Sequence, residues 1–183
     1  MNLPQTLKFT ITFHGPFHVG GSPFEGLDRT LDRDVPLPST SLKGLLRAEA
    51  VERLGIGPSL VGAVFGSPAQ KGDPGAWWWS DAEFAAPPVF SRSARIKIDN
   101  STGTTEEGFL MLGEDVWADS ASFTVEPLNL SAQQAHEIVL RAAARSVSSL
   151  GGDRRRGSGW VSIRDDLTWS EADTAKLLQM RGA

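Results

Sequence analysis

Two short stretches of the chain carry residue types and spacings suited to holding an anion. The first is Leu150-Gly151-Gly152-Asp153-Arg154-Arg155-Arg156-Gly157-Ser158-Gly159-Trp160, three consecutive guanidiniums set among glycines. Glycine lets backbone amides approach a ligand with no Cβ in the way, and each guanidinium offers a planar fork that matches phosphate oxygens. A loop with both features suits a phosphate-backbone cradle; by composition alone it reads equally as a solvated turn with a charge run. The second is Pro38-Ser39-Thr40-Ser41-Leu42-Lys43-Gly44-Leu45-Leu46-Arg47. Hydroxyls and free amides at a helix N-terminus form an anion site by geometry, and Lys43 and Arg47, four apart, share a helix face. Taken alone this is also an ordinary N-cap. Gly44 costs ~1 kcal/mol against Ala inside a helix, so a close approach is expected there. A further basic cluster is Arg92, Arg95 and Lys97.

Groups able to move a proton are fewer. Asp28, Asp32 and Asp34 lie in a glycine- and proline-rich segment, and His14 and His18 precede it. By residue type alone Asp28 is a solvated loop acid. His14 and His18 are candidate general acid–base groups, but His14 continues the polar face of a strand, which favours a solvent-facing role, and no Tyr is present to complete such a site. Trp77-Trp78-Trp79 offers either a stacking platform for bases or core packing; side chains alternate along a strand, so at most two share a face.

The elements that must position these groups follow from periodicity. Leu7 to His14 alternates apolar and polar without a fault, a half-buried strand with Leu7, Phe9, Ile11 and Phe13 inward. Gly15 to Pro38 is a long irregular loop, a length that in compact domains accompanies function or mobility. Ser39-Thr40-Ser41 offers capping hydroxyls before the stripe Leu42, Leu46, Ala50 and Leu54, a first helix that Gly55 and Gly57 end. Leu60 to Phe65 reads as a short helical turn, and Trp77 to Phe84 as a strand. Arg95-Ile96-Lys97-Ile98 turns through Asp99 to Gly103 and returns toward Phe109-Leu110, a hairpin; Ala121 to Val125 is another strand. Ser131-Ala132-Gln133-Gln134 has the capping-box pattern ahead of a helix whose face is Ala135, Ile138, Val139, Ala142 and Ser146. The basic loop follows, then the strand Trp160 to Ile163, with Trp160 expected in the core, and a last helix from Ser170 to Gln179.

That order is an α+β sheet with helices on one face and suits a βαββαβ, ferredoxin-like (RRM-like) core with an insertion between about residues 66 and 120. The 183 residues are read as one domain, and 40% hydrophobic with 22% charged residues is ordinary globular composition. The absence of Cys excludes a disulfide framework, a Cys-ligated metal and a thiol nucleophile. A net charge of −4 argues against coating nucleic acid through bulk charge, yet screening over about 8 Å leaves a local basic groove open. No signal peptide or membrane span is visible, so a soluble cytoplasmic protein is expected.

The two anion motifs together carry a resemblance. Gly20-Gly21 after the first strand, Pro38-x-x-Ser41-Leu42-Lys43-Gly44-x-x-Arg47 and the terminal glycine-arginine loop resemble the RAMP superfamily of CRISPR-associated RNA-binding proteins. Phe65-Gly66-Ser67, Ser80-Asp81-Ala82 and Ile98-Asp99-Asn100-x-Thr102-Gly103-x-x-x-x-Gly108 add to it; the last looks like the hairpin thumb of backbone subunits in type III effector complexes. The collinear match runs from Leu7 to Ile163, and each motif is weak alone. The resemblance implies one RNA-binding domain over residues 1–183 with a thumb insertion over 85–120, copies of the chain in a filament along a guide RNA, and sister CRISPR effector subunits, with no membrane. It implies RNA contacts at Ser39, Ser41, Lys43, Arg47, Arg95, Lys97, Gly151, Gly152, Arg154, Arg155, Arg156, Gly157 and Gly159. It further implies an endoribonuclease of antiviral defence in which Asp28, with Mg2+ bound to it, cleaves guide-paired target RNA. The short loop between Asp28 and Ser41, and Thr40 where a Gly-Ser pair is commoner, depart from the family pattern. Two other readings stand beside this one: a non-catalytic RNA-binding or capping subunit, and a His-dependent guide-processing enzyme, which the chain's length disfavours.

Overall fold

A computed structural model of the chain describes residues 4–20, 30–67, 73–98, 101–129, 131–152, 154 and 157–181, with backbone alone at 95, 97 and 106–110. Strand β1 (Leu7–Phe13) obeys its sequence period: Leu7, Phe9, Ile11 and Phe13 are buried, and the residues between them are exposed. It is central to a mixed α+β architecture of two antiparallel sheets. The larger sheet runs in the order β2 (Trp77–Trp79), β6 (Ser120–Pro127), β1, β7 (Val161–Asp165), with β3 (Glu83–Phe84) also on β6. Register places Phe9 opposite Phe123, and their rings stack with centroids 5.0 Å apart. In β2, Trp77 and Trp79 are buried while Trp78 is exposed, so core packing claims two of the three tryptophans, as alternation requires. Trp79 extends the stack onto Phe123.

Helices cover the buried face. Helix α1 (Ser39–Ala48) continues through a π-helical turn (Glu49–Arg53), and Leu42, Leu46 and Ala50 of the expected stripe are fully buried. Gly55, at φ +67°, supplies the left-handed residue that ends it. Helix α2 (Pro58–Phe65) has its proline in the first turn, where a missing N–H costs nothing. Helix α3 (Gln134–Ser146) packs against the π turn, β7 and helix α4 (Glu171–Gln179), and is buried from His136 through Ala144 apart from the half-buried Glu137. No helix among the described residues is long and apolar enough to cross a membrane.

Three local expectations are corrected. The hydroxyls Ser39, Thr40 and Ser41 do not cap α1: Pro38 is the N-cap residue, and the Ser39 N–H donates to Asp81 Oδ1 at 2.6 Å. A carboxylate from the turn after β2 therefore does the capping. The Ser131 capping box does not form either. The Ser131 N–H donates to the Asn129 side chain at 2.8 Å, a turn that shifts the helix start to Gln134. Trp160 is not core but 58% exposed, because Val161 and Ile163 take the inward positions and alternation turns Trp160 outward.

The smaller sheet is the hairpin β4 (Val89–Ile98) and β5 (Thr105–Trp117), with an irregularity in register between Ile96 and Ile98. Its arms run further toward the body than the Arg95–Leu110 turn suggested. Near the base Val116 is buried and exchanges two backbone hydrogen bonds with Phe17. Further out Ile96, Ile98, Met111 and Leu112 are exposed.

Candidate RNA-binding cleft

The segment that leaves β1 turns back under the glycine-rich loop, and the two are bolted together through the backbone. The Gly152 N–H donates to the His18 carbonyl at 2.8 Å, the Gly159 N–H donates to the Pro16 carbonyl at 2.7 Å, and Ser158 Oγ reaches the same Pro16 oxygen. Gly151 has φ +76°, and a Cβ there would collide with the His18 carbonyl oxygen, so only glycine lets the loop come this close. Gly159, at φ +78°, would collide with the Leu150 carbonyl in the same way. The stem is closed by a hydrogen bond from the Leu150 N–H to the Gly159 carbonyl.

This fastening sets the loop beside the first two turns of α1. Between them lies a cleft of about 330 Å³, lined by Gly20, Ser41, Gly44, Gly151, Gly152 and Arg154 over an apolar floor that includes Leu37 and Leu150. Gly20 of the segment that follows β1, the helix motif and the glycine-arginine loop thus meet in one place. A Cβ on Gly44 would touch nothing within 4 Å. Among the described residues no group needs the space that Gly44 leaves, which widens the cleft.

Other expected site residues are engaged elsewhere or lie outside the lining. Ser39 is held by Asp81. Lys43 Nζ donates to the Pro74 carbonyl at 2.6 Å; burial pulls its ammonium below the ordinary lysine pKa, Asp73 opposing that and Arg47 adding to it. Arg47, half-buried in the last turn of α1, is the close neighbour of Lys43 expected from their spacing. Gly157 is exposed, and Gly159 serves the loop's stem. Arg154 is exposed at the rim; Arg155 and Arg156 lie outside the described residues, as does Asp28.

The neighbouring acid–base candidates are committed to structure. His18 is buried, and its Nδ1 is 2.7 Å from the Glu114 carbonyl, so Nδ1–H is the donor. His14 is exposed, with Nε2 3.1 Å from Ser162 Oγ, which matches the solvent-facing reading. Asp32 Oδ1 accepts from the Asp34 and Val35 N–H groups, closing a local turn. Sequence reasoning missed Asp81 as the cap, and it missed the pairing of Arg33 with the buried Glu114 carboxylate. The first left a trace, since Ser80-Asp81-Ala82 was among the recognised motifs. For the second no periodic signal exists.

The family model of the RAMP superfamily matches residues 10–162. The chain belongs to the RAMP superfamily. No curated protein matches it significantly. Among solved structures, this RAMP chain superposes with a TM-score of 0.70 on a chain of a type III-B Cmr-beta complex bound to cognate target RNA, at 14% identity over 89% of this chain and 98% of that one. A chain of type III-B Cmr-beta in its apo state gives a TM-score of 0.69 at 15% identity over 88% and 97%. At such identities the likeness is one of fold. Arg95 and Lys97 of the RAMP chain fall on β4 of the hairpin.

Proposed function

We propose that the chain is a guide-RNA-binding backbone subunit of a type III CRISPR interference complex, and that it cleaves target RNA paired to the guide. The observation that carries the RNA-binding reading is the cleft, where Ser41 and Gly44 of α1, the glycine-rich loop and Arg154 converge on one groove. A hydroxyl and a guanidinium are donors that position phosphates without reading sequence. Family membership and the fold shared with chains of RNA-bound Cmr-beta support the same reading. The strand order β2-β6-β1-β7, with α1 and α3 on one face, supports a ferredoxin-like core, and the hairpin between β3 and β6 supports a thumb. Guide RNA, target RNA, further copies of the chain and sister effector subunits are the partners this reading assigns.

Cleavage needs little from the protein. The RNA's own 2′-hydroxyl attacks the adjacent phosphorus, the bond to the 5′-oxygen of the next nucleotide breaks, and the proton passes to that leaving oxygen. The products are a 2′,3′-cyclic phosphate and a 5′-hydroxyl. Asp28 is assigned the role of positioning the 2′-hydroxyl and taking its proton, with in-line geometry imposed by the protein. Among the described residues no three His, Asp or Glu side chains come together; a Mg2+ held at Asp28 would supply charge stabilisation at the scissile phosphate.

The test is the assembled complex with its guide and a paired target. Asp28→Ala is expected to lower the cleavage rate by about 10²–10⁴-fold, the usual contribution of general acid–base help, and to leave target affinity unchanged. Asp32→Ala, whose carboxylate closes a local turn, serves as the control and retains cleavage. Equal rates for Asp28→Ala and the parent sink the assignment of Asp28. A parent complex that binds target and does not cut it, with Mg2+ supplied, moves the chain to a non-catalytic RNA-binding subunit.

A further inference from the structure

The larger sheet has a second face, turned away from the helices. On the central strand Lys8, Thr10 and Thr12 are exposed there, and across from them stand Thr124, Ser122 and Ser120 of β6. On the other side Arg164 and Ser162 of β7 face Thr10 and Thr12. Exposure along a central strand means that no element of the described chain covers this face. Its middle is a field of hydroxyls, able both to donate and to accept.

One corner differs. Trp160 sits where β7 begins, paired with Ser149 and receiving the His14 N–H on its carbonyl at 2.8 Å. With Val161 and Ile163 inward, Trp160 and Ser162 point to the open face, and the His14 ring, bonded to Ser162 Oγ, lies on the same side. The Trp160 side chain is 58% exposed, and among the described residues no aromatic or cation contact holds it. Leaving an indole in water forgoes the stabilisation that a large apolar side chain gains on burial. The fold does not demand this position for it. Trp160 also ends the loop whose Leu150, Gly151, Gly152 and Arg154 line the cleft.

We propose that Trp160, flanked by His14 and Ser162, is a stacking subsite for an unpaired RNA base on the open sheet face, adjoining the phosphate cradle of the cleft. The proposal rests on the RNA-binding reading of that cleft. Indole faces stack on any base, so such a subsite is indifferent to sequence, and aromatic side chains on an open sheet are a recurrent way to hold splayed single-stranded RNA. The His14 ring and the Ser162 hydroxyl supply hydrogen-bonding groups beside the stacked base. A second copy of the chain is the poorer occupant of this face. Interface cores are apolar and desolvated, whereas here one indole borders serines and threonines, and the other exposed tryptophan on this sheet, Trp78, lies across β1 and β6 at its far side.

The experiment measures binding of the full chain to a short single-stranded oligouridine across a salt series, for the parent, Trp160→Ala, Trp160→Phe and Arg154→Ala. Trp160→Ala is expected to weaken binding about ten- to a hundredfold, the range for loss of one stacked base, and Trp160→Phe to keep most of the affinity. The log–log salt slope stays that of the parent in Trp160→Ala, because stacking releases no counterions, and falls by roughly one in Arg154→Ala. Parental affinity in Trp160→Ala, alongside a weakened Arg154→Ala, overturns the stacking subsite and leaves the cradle standing. Parental affinity in both removes the RNA-binding reading of the cleft as well. Sizing by light scattering separates the remaining occupant: if Trp160→Ala dissolves a self-associated species and leaves RNA affinity unchanged, the face joins copies of the chain and the base subsite is wrong.

Discussion

Arg141 and Arg154 lie thirteen positions apart and carry the same guanidinium, yet the fold uses them in opposite ways. Arg141 is buried. Its Nε donates to Asp165 Oδ1 at 3.0 Å, one terminal nitrogen donates to the Leu167 and Thr168 carbonyls, and the other lies 3.6 Å from Asp173. Trp169 covers its face at 5.3 Å, and Arg145 completes the cluster at 2.9 Å from the second Asp165 oxygen. Arg154 stands exposed at the rim of an open cleft. The difference lies in where the chain goes next. After Arg141 it returns as β7 and delivers Asp165 into the core, whereas around Arg154 the glycines commit only backbone groups. Charge engaged inside the molecule holds the fold, and charge left at a rim is free for a ligand.

Removing the engaged member is expected to have the largest effect. Arg141→Ala leaves Asp165, whose side chain is fully buried, with Arg145 and the Leu167 N–H, and breaking a buried pair costs about 3–5 kcal/mol. Denaturant unfolding should show a loss of that order. Where the variant folds, its RNA affinity should match the parent's. A loss below about 1 kcal/mol, the level of surface ion pairs, would erase the contrast between the two arginines.

His136 tests the same contrast within α3. It is buried, and its Nδ1 accepts the Trp77 indole N–H at 3.2 Å, which ties the helix to β2. Burial holds its pKa below the ordinary 6.5. Between that value and the lower folded one, the unfolded chain binds a proton that the folded chain does not. Stability contributed by neutral His136 is therefore complete above about pH 6.5 and drains as pH falls through the folded value. His136→Leu strands the indole N–H, a cost of about 1–3 kcal/mol, and should flatten the acid-side decline in denaturant midpoint. A decline as steep as the parent's would assign it to other groups.

What the sequence revealed divides along the same line. Core-facing groups announced themselves: β1, the buried positions of α1 and the in-out-in order of Trp77 to Trp79 all follow from period, because burial on one face repeats along the chain. The components of the cleft were legible as motifs, and the fold brings Ser41, Gly151, Gly152 and Arg154 together. Partnerships across the chain were not legible. Asp81 caps a helix forty-two positions upstream, Glu114 meets Arg33 eighty-one positions away, and no local pattern encodes either. The Ser131 box failed because Asn129, two residues earlier, offered the same amide a closer acceptor. Trp160 was misread by residue type: tryptophan suggests core, but the period of its own strand pointed it outward.

Asp81 gives the smallest and most pointed test, since it sits where the two uses of charge meet. Its carboxylate holds the Ser39 N–H at the start of α1, the helix whose first turns line the cleft. A carboxylate there stabilises the helix through an unpaired amide and the dipole, and the same negative charge opposes a phosphate approaching that end. Two variants separate these effects. Asp81→Ala removes acceptor and charge together and should cost about 0.5–2 kcal/mol, the usual value of a cap. Asp81→Asn keeps an oxygen able to accept from Ser39 and discards only the charge, so stability should fall by a few tenths of a kcal/mol, within the range of a single charge near a helix end. Both should bind single-stranded RNA more tightly than the parent at low salt, and the gain should fade as salt rises, because an exposed charge is screened over about 8–10 Å near physiological ionic strength. If Asp81→Asn binds RNA no better than the parent at any salt, the N-terminus of α1 does not face the phosphates, and the cradle reduces to the glycine-rich loop and Arg154.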